Sequence, residues 1–303
     1  LKLASGGRVI AVGDPCQAIY GFCGAEEGAL DRLADARSIP AANRFTLSEC
    51  RRCPKSHIKL VQDEVIKKMD GPKSELRAMD TATEGIIARD VDFVEWVPEP
   101  HGSHAIICRM NAPLLALQWK LAAHGIGCVM LGRNQLIGEI KKHLKTCKER
   151  AGDVPVEDLP LVLSEMKNDE EEAGEDDDDD DAEKRMEAAA RRAYDPADLS
   201  DCLRLLLERL TPAQRQSPNL QPVFDALDEM YEKTAARSGD LLALATVHKA
   251  KGQEWKRVYI LQPKLLPLFE DSRDEQNIQY VAYTRSKSEL IFLRNVDTKL
   301  EGS

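Results

Sequence analysis

The sequence predicts an α/β fold built on a parallel sheet, and three observations carry that prediction. Short, fully apolar runs recur along the chain: Val9 to Val12, Ala105 to Cys108, Leu241 to Val247 and Val258 to Leu261. Apolar runs of that length without polar alternation mark strands covered on both faces, which is how parallel sheets read. A helical pattern separates two strand signals: Ala105 to Cys108 is followed by Leu114, Leu117 and Leu121 at helical spacing, and then by a loop and strand over 125–133. Strand, helix and strand at these lengths make a βαβ unit, which requires parallel neighbours. At 303 residues the chain is long enough for one large domain or two modest ones.

Charge is unevenly placed. The formal net charge is −10, but eleven acidic residues and no basic ones lie between Asp169 and Asp181, so the remainder stands at +1. The overall acidity is therefore no argument against nucleic-acid binding by the rest of the surface. The Asp-rich run reads as a solvated linker, since like charges repel and it has little apolar surface to bury. A basic protein partner is its alternative use. No run of about 18 apolar residues is present, so no membrane helix is expected, and no secretory leader pattern opens the chain. These features place it in the cytoplasm, or in the nucleus or an organelle. Because it starts at Leu1, close to a strand signal, we read it as truncated at its N-terminus. Of the eight cysteines only Cys50 and Cys53 form a C-x-x-C pair. That is short of a structural zinc set, so no metal site is expected and the thiols are read as reduced.

In chain order, Val9 to Val12 reads as a buried strand ending at the Gly13-Asp14-Pro15 turn. Glu26 to Ala36 reads as a helix with Ala29, Leu30, Leu33 and Ala34 on one face. Phe45 to Leu47 is a short apolar run. Beyond Pro54 an amphipathic helix runs through Ile58, Leu60, Val61 and Val65. Phe93 to Val97 is a strand candidate, and Asn111 can cap the helix that follows Ala105 to Cys108, with Pro113 in its first turn. Helical segments at Glu183 to Tyr194, Leu199 to Leu210 and Val223 to Lys233 flank the Asp-rich run and read as a helical insertion. The last 60 residues return to strand and helix, with a helix from Gln276 to Lys287 and a terminal strand from Glu289 to Leu293.

Four stretches carry more specific chemistry. Gly13-Asp14-Pro15-Cys16-Gln17-Ala18-Ile19-Tyr20-Gly21-Phe22 sets a Gln amide, able to orient a water or touch a phosphate oxygen, three residues before the first of two aromatics. Arg51-Arg52-Cys53-Pro54 precedes the second helix. Thr246-Val247-His248-Lys249-Ala250-Lys251-Gly252-Gln253-Glu254-Trp255 follows a strand. Gln279-Tyr280-Val281-Ala282-Tyr283-Thr284-Arg285-Ser286-Lys287 lies near the end. In this order they resemble motifs III, IV, V and VI of the UvrD/Rep-like superfamily 1 DNA helicases. Arg109-Met110-Asn111-Ala112 resembles that family's motif IVa. The resemblance covers nearly the whole chain apart from the insertion.

The resemblance implies a RecA-like helicase fold. Residues 1–45 would end a first RecA-like domain, 46–148 and 239–303 would form the second, and 149–238 would be the helical insertion, with its acidic linker at 166–183. It implies an ATP-dependent translocase moving 3′→5′ on single-stranded DNA and opening duplex junctions, in the service of repair or replication. Gln17 would sense the γ-phosphate and its water. Arg52 and Arg285 would be arginine fingers, a role suited to a planar, permanently charged fork. Glu254, with Gly252 beside it, would hold the ribose. Tyr20 and Phe22 would stack on bases, and Arg109, Asn111, Thr246 and His248 would support the strand. ATP and Mg2+ would be the cofactors.

Two departures stand out. Cys23 occupies the place where the family has Arg. No G-x-x-x-x-G-K-[ST] loop occurs in the chain, nor a D-E-x-Q before Gly13, so the P-loop and the metal ligands are expected upstream and the isolated chain is expected to bind ATP poorly. A non-catalytic DNA-binding or scaffold subunit that keeps the fold is the competing reading. An unrelated α/β nucleotide-binding regulator would leave the aromatics unexplained.

Overall fold

The computed structural model describes residues 10–21, 28–71, 73–92, 102–163, 196–235 and 241–294. Phe22, Cys23, the strand expected at Phe93 to Val97, the helix expected at Glu183 to Tyr194 and the acidic run lie outside them.

The centre is a six-stranded sheet, parallel throughout. Its strands are β3 (Ile86–Val91), β4 (His104–Cys108), β5 (Cys128–Met130), β6 (Leu242–Thr246), β7 (Trp255–Ile260) and β8 (Ser286–Leu293), in the order β3-β8-β7-β4-β6-β5. A separate two-residue parallel pair joins β1 (Glu49–Cys50) to β2 (Arg77–Ala78). The helices are α1 (Ala29–Ala36), α2 (Lys55–Val61), α3 (Asn111–Ala123), α4 (Arg133–Ala151), α5 (Pro196–Leu207), α6 (Pro212–Gln216), α7 (Gln221–Ala235), α8 (Val247–Ala250) and α9 (Arg273–Tyr283).

Strand side chains alternate between faces, so each apolar run feeds two cores. Ile106, Cys108, Leu242, Leu244, Tyr259 and Ile291 face one layer, with α3, α4, α5 and α7. Ala105, Ile107, Ala243, Ala245, Val258, Ile260 and Phe292 face the other, with α2, α8, α9 and the segment carrying Cys16 and Ile19. Small residues in β4 and β6 on the second face let α8 approach closely. This is why both faces of β4 and β6 are apolar in sequence. The expected α/β class with a parallel sheet is thus what the structure shows.

The helices over 196–235 share the first core with the sheet. Cys202, Leu203 and Leu206 of α5 and Val223 and Leu227 of α7 are buried in it beside Leu117, Leu121 and Leu144, and α5 packs along α3. Their leucines were legible as helices, but not as part of the sheet's own layer.

Three local expectations change. Val9 to Val12 was expected as a buried strand; in the described part, Ile10 and Val12 are 90% and 79% exposed and belong to no strand. A strand needs a neighbour for its N–H and C=O groups, and among the described residues none lies beside this run. Phe45 and Leu47 are likewise exposed. The last helix begins earlier than expected, at Arg273, because Ser272 caps it, accepting from Glu275 N at 3.4 Å. It also ends earlier, at Tyr283. The Thr284 hydroxyl donates to Tyr280 O at 2.9 Å and Arg285 Nε to Val281 O at 2.8 Å, and these bonds close its last turn.

Candidate nucleotide and strand interface

The segment 13–21 is a tight turn tied down at almost every residue. Asp14 caps a single 3-10 turn, Pro15–Gln17. Its carboxylate accepts from Cys16 N at 3.0 Å, Gln17 Nε2 at 2.7 Å and the Tyr280 hydroxyl at 3.3 Å, and from the Ser74 hydroxyl as well. Proline suits the first position of such a turn because no N–H is needed there. The C-terminal elements then grip its backbone. Lys251 Nζ donates to Gln17 O at 2.7 Å, Asn277 Nδ2 to Ala18 O at 2.9 Å and the Tyr20 hydroxyl to His248 O at 3.1 Å. A Cβ on Gly21 would run into the Asp274 carboxylate, so the chain can leave the turn along α9 only as glycine. Lys251 also stands 5.0 Å from the centre of the Tyr20 ring; burial lowers its pKa.

These ties set Gln17 on the same side of the sheet as the two arginines of interest. Arg52 lies between β1 and α2. Its Nε donates to Glu254 Oε2 at 2.7 Å and its Nη1 to Thr284 O at 3.2 Å. Glu254 also pairs with Lys287. The Lys287 and Arg52 hydrogen bonds hold its carboxyl below the usual carboxylate range. The pair is open to water, with side-chain exposures of 30% for Arg52 and 39% for Glu254.

Arg285 is different. It is 2% exposed, and its guanidinium is spent on the protein: Val281 O at 2.8 Å, Thr284 Oγ1 at 2.8 Å and Gln253 O at 3.4 Å. Burial, and after it the nearby Arg52 charge, bring its pKa down to about 10. It remains a cation at neutral pH, but one aimed into the fold. Gly252, at φ 85°, makes the left-handed turn from α8 toward β7 that carries Gln253 O to Arg285 and Glu254 to Arg52.

The residues expected along a nucleic-acid strand divide in two. Arg109, at the end of β4, grips Glu275 of α9 with both arms, Nη2 to Oε1 at 2.6 Å and Nε to both oxygens at 3.1 Å. Asn111 does not cap α3; that position is held by Met110. Instead Asp198 of α5 reaches across the fold. It accepts from Asn111 N at 2.7 Å, Asn111 Nδ2 at 2.8 Å and Ala112 N at 2.8 Å. A carboxylate at a helix N-terminus satisfies orphan N–H groups and meets the positive end of the helix dipole. Thr246 stands at the entry to α8, buried. His248 is packed beside Tyr20, ring centres 5.8 Å apart. Burial, reinforced by Arg109, lowers its pKa to about 4, so it is neutral at pH 7.

Sequence reasoning missed Asp198, Glu275, Tyr280, Lys251 and Lys287. Ser272 with Glu275 three residues on is a capping-box spacing that could have placed the start of α9. Nothing local marks Asp198, because its partners are 86 and 87 residues away. The donors Gln17, Arg52 and Lys287 suit a phosphate, and the acceptor Glu254 suits a sugar hydroxyl. Among the described residues no three His, Cys, Asp or Glu side chains converge to hold a metal ion. No helix among them is long and apolar enough to cross a membrane.

Residues 241–293 match the family model of the UvrD-like helicase C-terminal domain. That span runs from β6 to β8 and includes Thr246, His248, Lys251, Glu254, Glu275 and Arg285. No curated protein matches the chain.

Proposed function

We propose that this chain, a UvrD/Rep-like C-terminal portion with a helicase-family role, is the strand-facing and phosphate-facing part of an ATP-dependent DNA translocase working 3′→5′ on single-stranded DNA. The observation that carries the reading is the docking of the 13–21 turn onto α8 and α9. The turn's Asp14 bonds Tyr280, while Lys251 bonds Gln17 and stands over the Tyr20 ring. One rigid connection thus links a group suited to phosphate with an aromatic suited to bases, which is what coupling hydrolysis to stepping requires.

In this reading the exposed Arg52 exchanges Glu254 for a phosphate oxygen, while Glu254, released, accepts from the ribose. Gln17 orients the attacking water. Arg285 acts from behind, adding positive charge near Arg52 and holding the turn at Gln253. Mg2+ would supply charge neutralisation at the phosphates, and in this reading its ligands and the P-loop would be provided by an upstream domain.

The test is ATP turnover, with and without single-stranded DNA, by the 303-residue chain and by a protein that joins it to a P-loop domain. DNA-stimulated turnover in the joined protein, lost by at least about tenfold in Arg52→Ala, supports the reading. Robust turnover by the chain alone, or DNA binding without any turnover in the joined protein, overturns it. The second outcome favours a non-catalytic DNA-binding subunit, to which the buried, fully engaged Arg285 also points.

A further inference from the structure

Cys50 and Cys53 take no part in the reading above, yet they flank Arg51 and Arg52. Cys50 ends the short strand β1 and is half-buried; Cys53, two residues before α2, is 2% exposed. The backbone N–H of Cys53 donates to Cys50 Sγ at 3.4 Å. Cys53 Sγ lies 3.6 Å from Thr284 O.

The two sulfurs are unlike. The hydrogen bond from Cys53, aided by backbone N–H groups and the Arg52 charge, brings the Cys50 thiol down to about 5. The same contact and burial push the Cys53 thiol up. One sulfur is thus a reachable thiolate at neutral pH and the other a protected thiol beside it. The remaining described cysteines, including Cys108, Cys128, Cys147 and Cys202, are buried, and burial pushes Cys108 up to about 12. The nearby His57 has its Nε2 at 3.1 Å from Ile86 O, and no third ligand converges among the described residues.

We propose that Cys50 and Cys53 form a reversible dithiol–disulfide site whose oxidant is a low-molecular-weight disulfide such as oxidised glutathione. The Cys50 thiolate attacks one sulfur of the small disulfide; a Cys50–sulfur bond forms, the small S–S bond breaks and one thiolate leaves. Cys53 then gives up its proton, and its sulfur attacks Cys50 Sγ. The second small thiol departs as the Cys50–Cys53 bond forms. Two electrons pass from the pair to the small disulfide; the Cys53 proton ends on the second small thiol, and the first, released as a thiolate, takes its proton from water.

Oxidation closes a four-residue ring around Arg51 and Arg52. It also removes the Cys53 thiol beside Thr284 O, the carbonyl that Arg52 Nη1 reaches at 3.2 Å. The ring therefore fixes Arg52 relative to Glu254. That consequence rests on the proposed function; the thiol chemistry does not.

The test equilibrates the 303-residue chain in glutathione buffers of graded oxidised-to-reduced ratio, then alkylates free thiols and maps them by mass spectrometry. Two alkylatable thiols are expected to disappear together, at Cys50 and Cys53, and to return with excess reduced glutathione. Cys53→Ser is expected to trap glutathione on Cys50, whereas Cys50→Ser should leave Cys53 unmodified. In short pulses at pH 6.5, Cys50 should alkylate at least about tenfold faster than Cys108 or Cys202. If both thiols stay alkylatable at every ratio, or the unsubstituted chain stops at glutathione bound to Cys50, the proposal fails. The unsubstituted chain alone decides this should a variant not fold. The thiol map uses neither ATP nor DNA, so it stands or falls apart from the helicase reading. In a joined, ATP-hydrolysing protein, a disulfide that forms without changing turnover would remove the consequence at Arg52.

Discussion

Arg109 and Arg52 are each held by a carboxylate of the C-terminal segment, and the two pairs could hardly differ more in setting. Arg109 meets Glu275 bidentately at side-chain exposures of 19% and 6%, whereas Arg52 meets Glu254 through one nitrogen at 30% and 39%. A buried pair is attractive only as a pair: remove one member and the other is stranded in a poorly solvated site. An open pair is screened by water and contributes about 0–1 kcal/mol. The first is therefore a fastener and the second an exchangeable contact, which is the property a ligand-binding cation needs.

The strongest way to break this comparison is Glu275→Ala. With Arg109 left unpaired, and Leu268 N deprived of its acceptor, stability should fall by about 3–5 kcal/mol in urea unfolding. A loss under 1 kcal/mol would put both pairs in the same class. Next comes His248, which sits against the buried pair. Its folded pKa of about 4 lies below the ordinary 6.5, so the native state binds the proton less readily than the unfolded chain. The stability it contributes is complete above pH 6.5 and is lost as pH falls toward 4, by up to about 3 kcal/mol. His248→Gln should flatten the unfolding curve across that window relative to the parent chain; identical pH slopes would refute it.

Asp198→Ala sharpens the comparison by testing a carboxylate that serves neutral donors. Removing the cap of α3 should cost about 1–3 kcal/mol, measured as a lowered Tm, and adding salt should not mimic it. The smallest effect is expected for Glu254→Gln. Stability should change by less than about 1 kcal/mol, and any change in ATP affinity of a joined protein should exceed it. A large stability loss there would make Arg52 a fastener too.

The layers were legible in the sequence because burial on both faces leaves an unambiguous mark. Ala105 to Cys108 and Leu241 to Val247 have nowhere polar to point, and the structure uses each alternate residue on one face or the other. Val9 to Val12 carries the same signature without the same outcome, since an apolar run records what a segment can pair with and not whether a partner lies beside it. Gln17, Arg52 and Glu254 were picked out by motif spacing. What spacing could not show is who holds them. Asp198, Lys251 and Tyr280 act over separations of 87, 234 and 266 residues, and each is a common residue type with no local pattern. The engagement of Arg285 was equally hidden, because a helix-end arginine that turns back onto its own carbonyls has the same sequence as one that reaches out.

That inward turn has a consequence for affinity. Any anion that captures Arg285 must select molecules in which three hydrogen bonds to Val281, Thr284 and Gln253 are undone. Its apparent Kd is the intrinsic one divided by the fraction of molecules in that state, so each tenfold rarity of the released arginine weakens binding by about 1.4 kcal/mol. The end of α9 would thereby act as a set point for any such anion, and substitutions at Thr284, which holds the guanidinium through its hydroxyl, would tune the affinity.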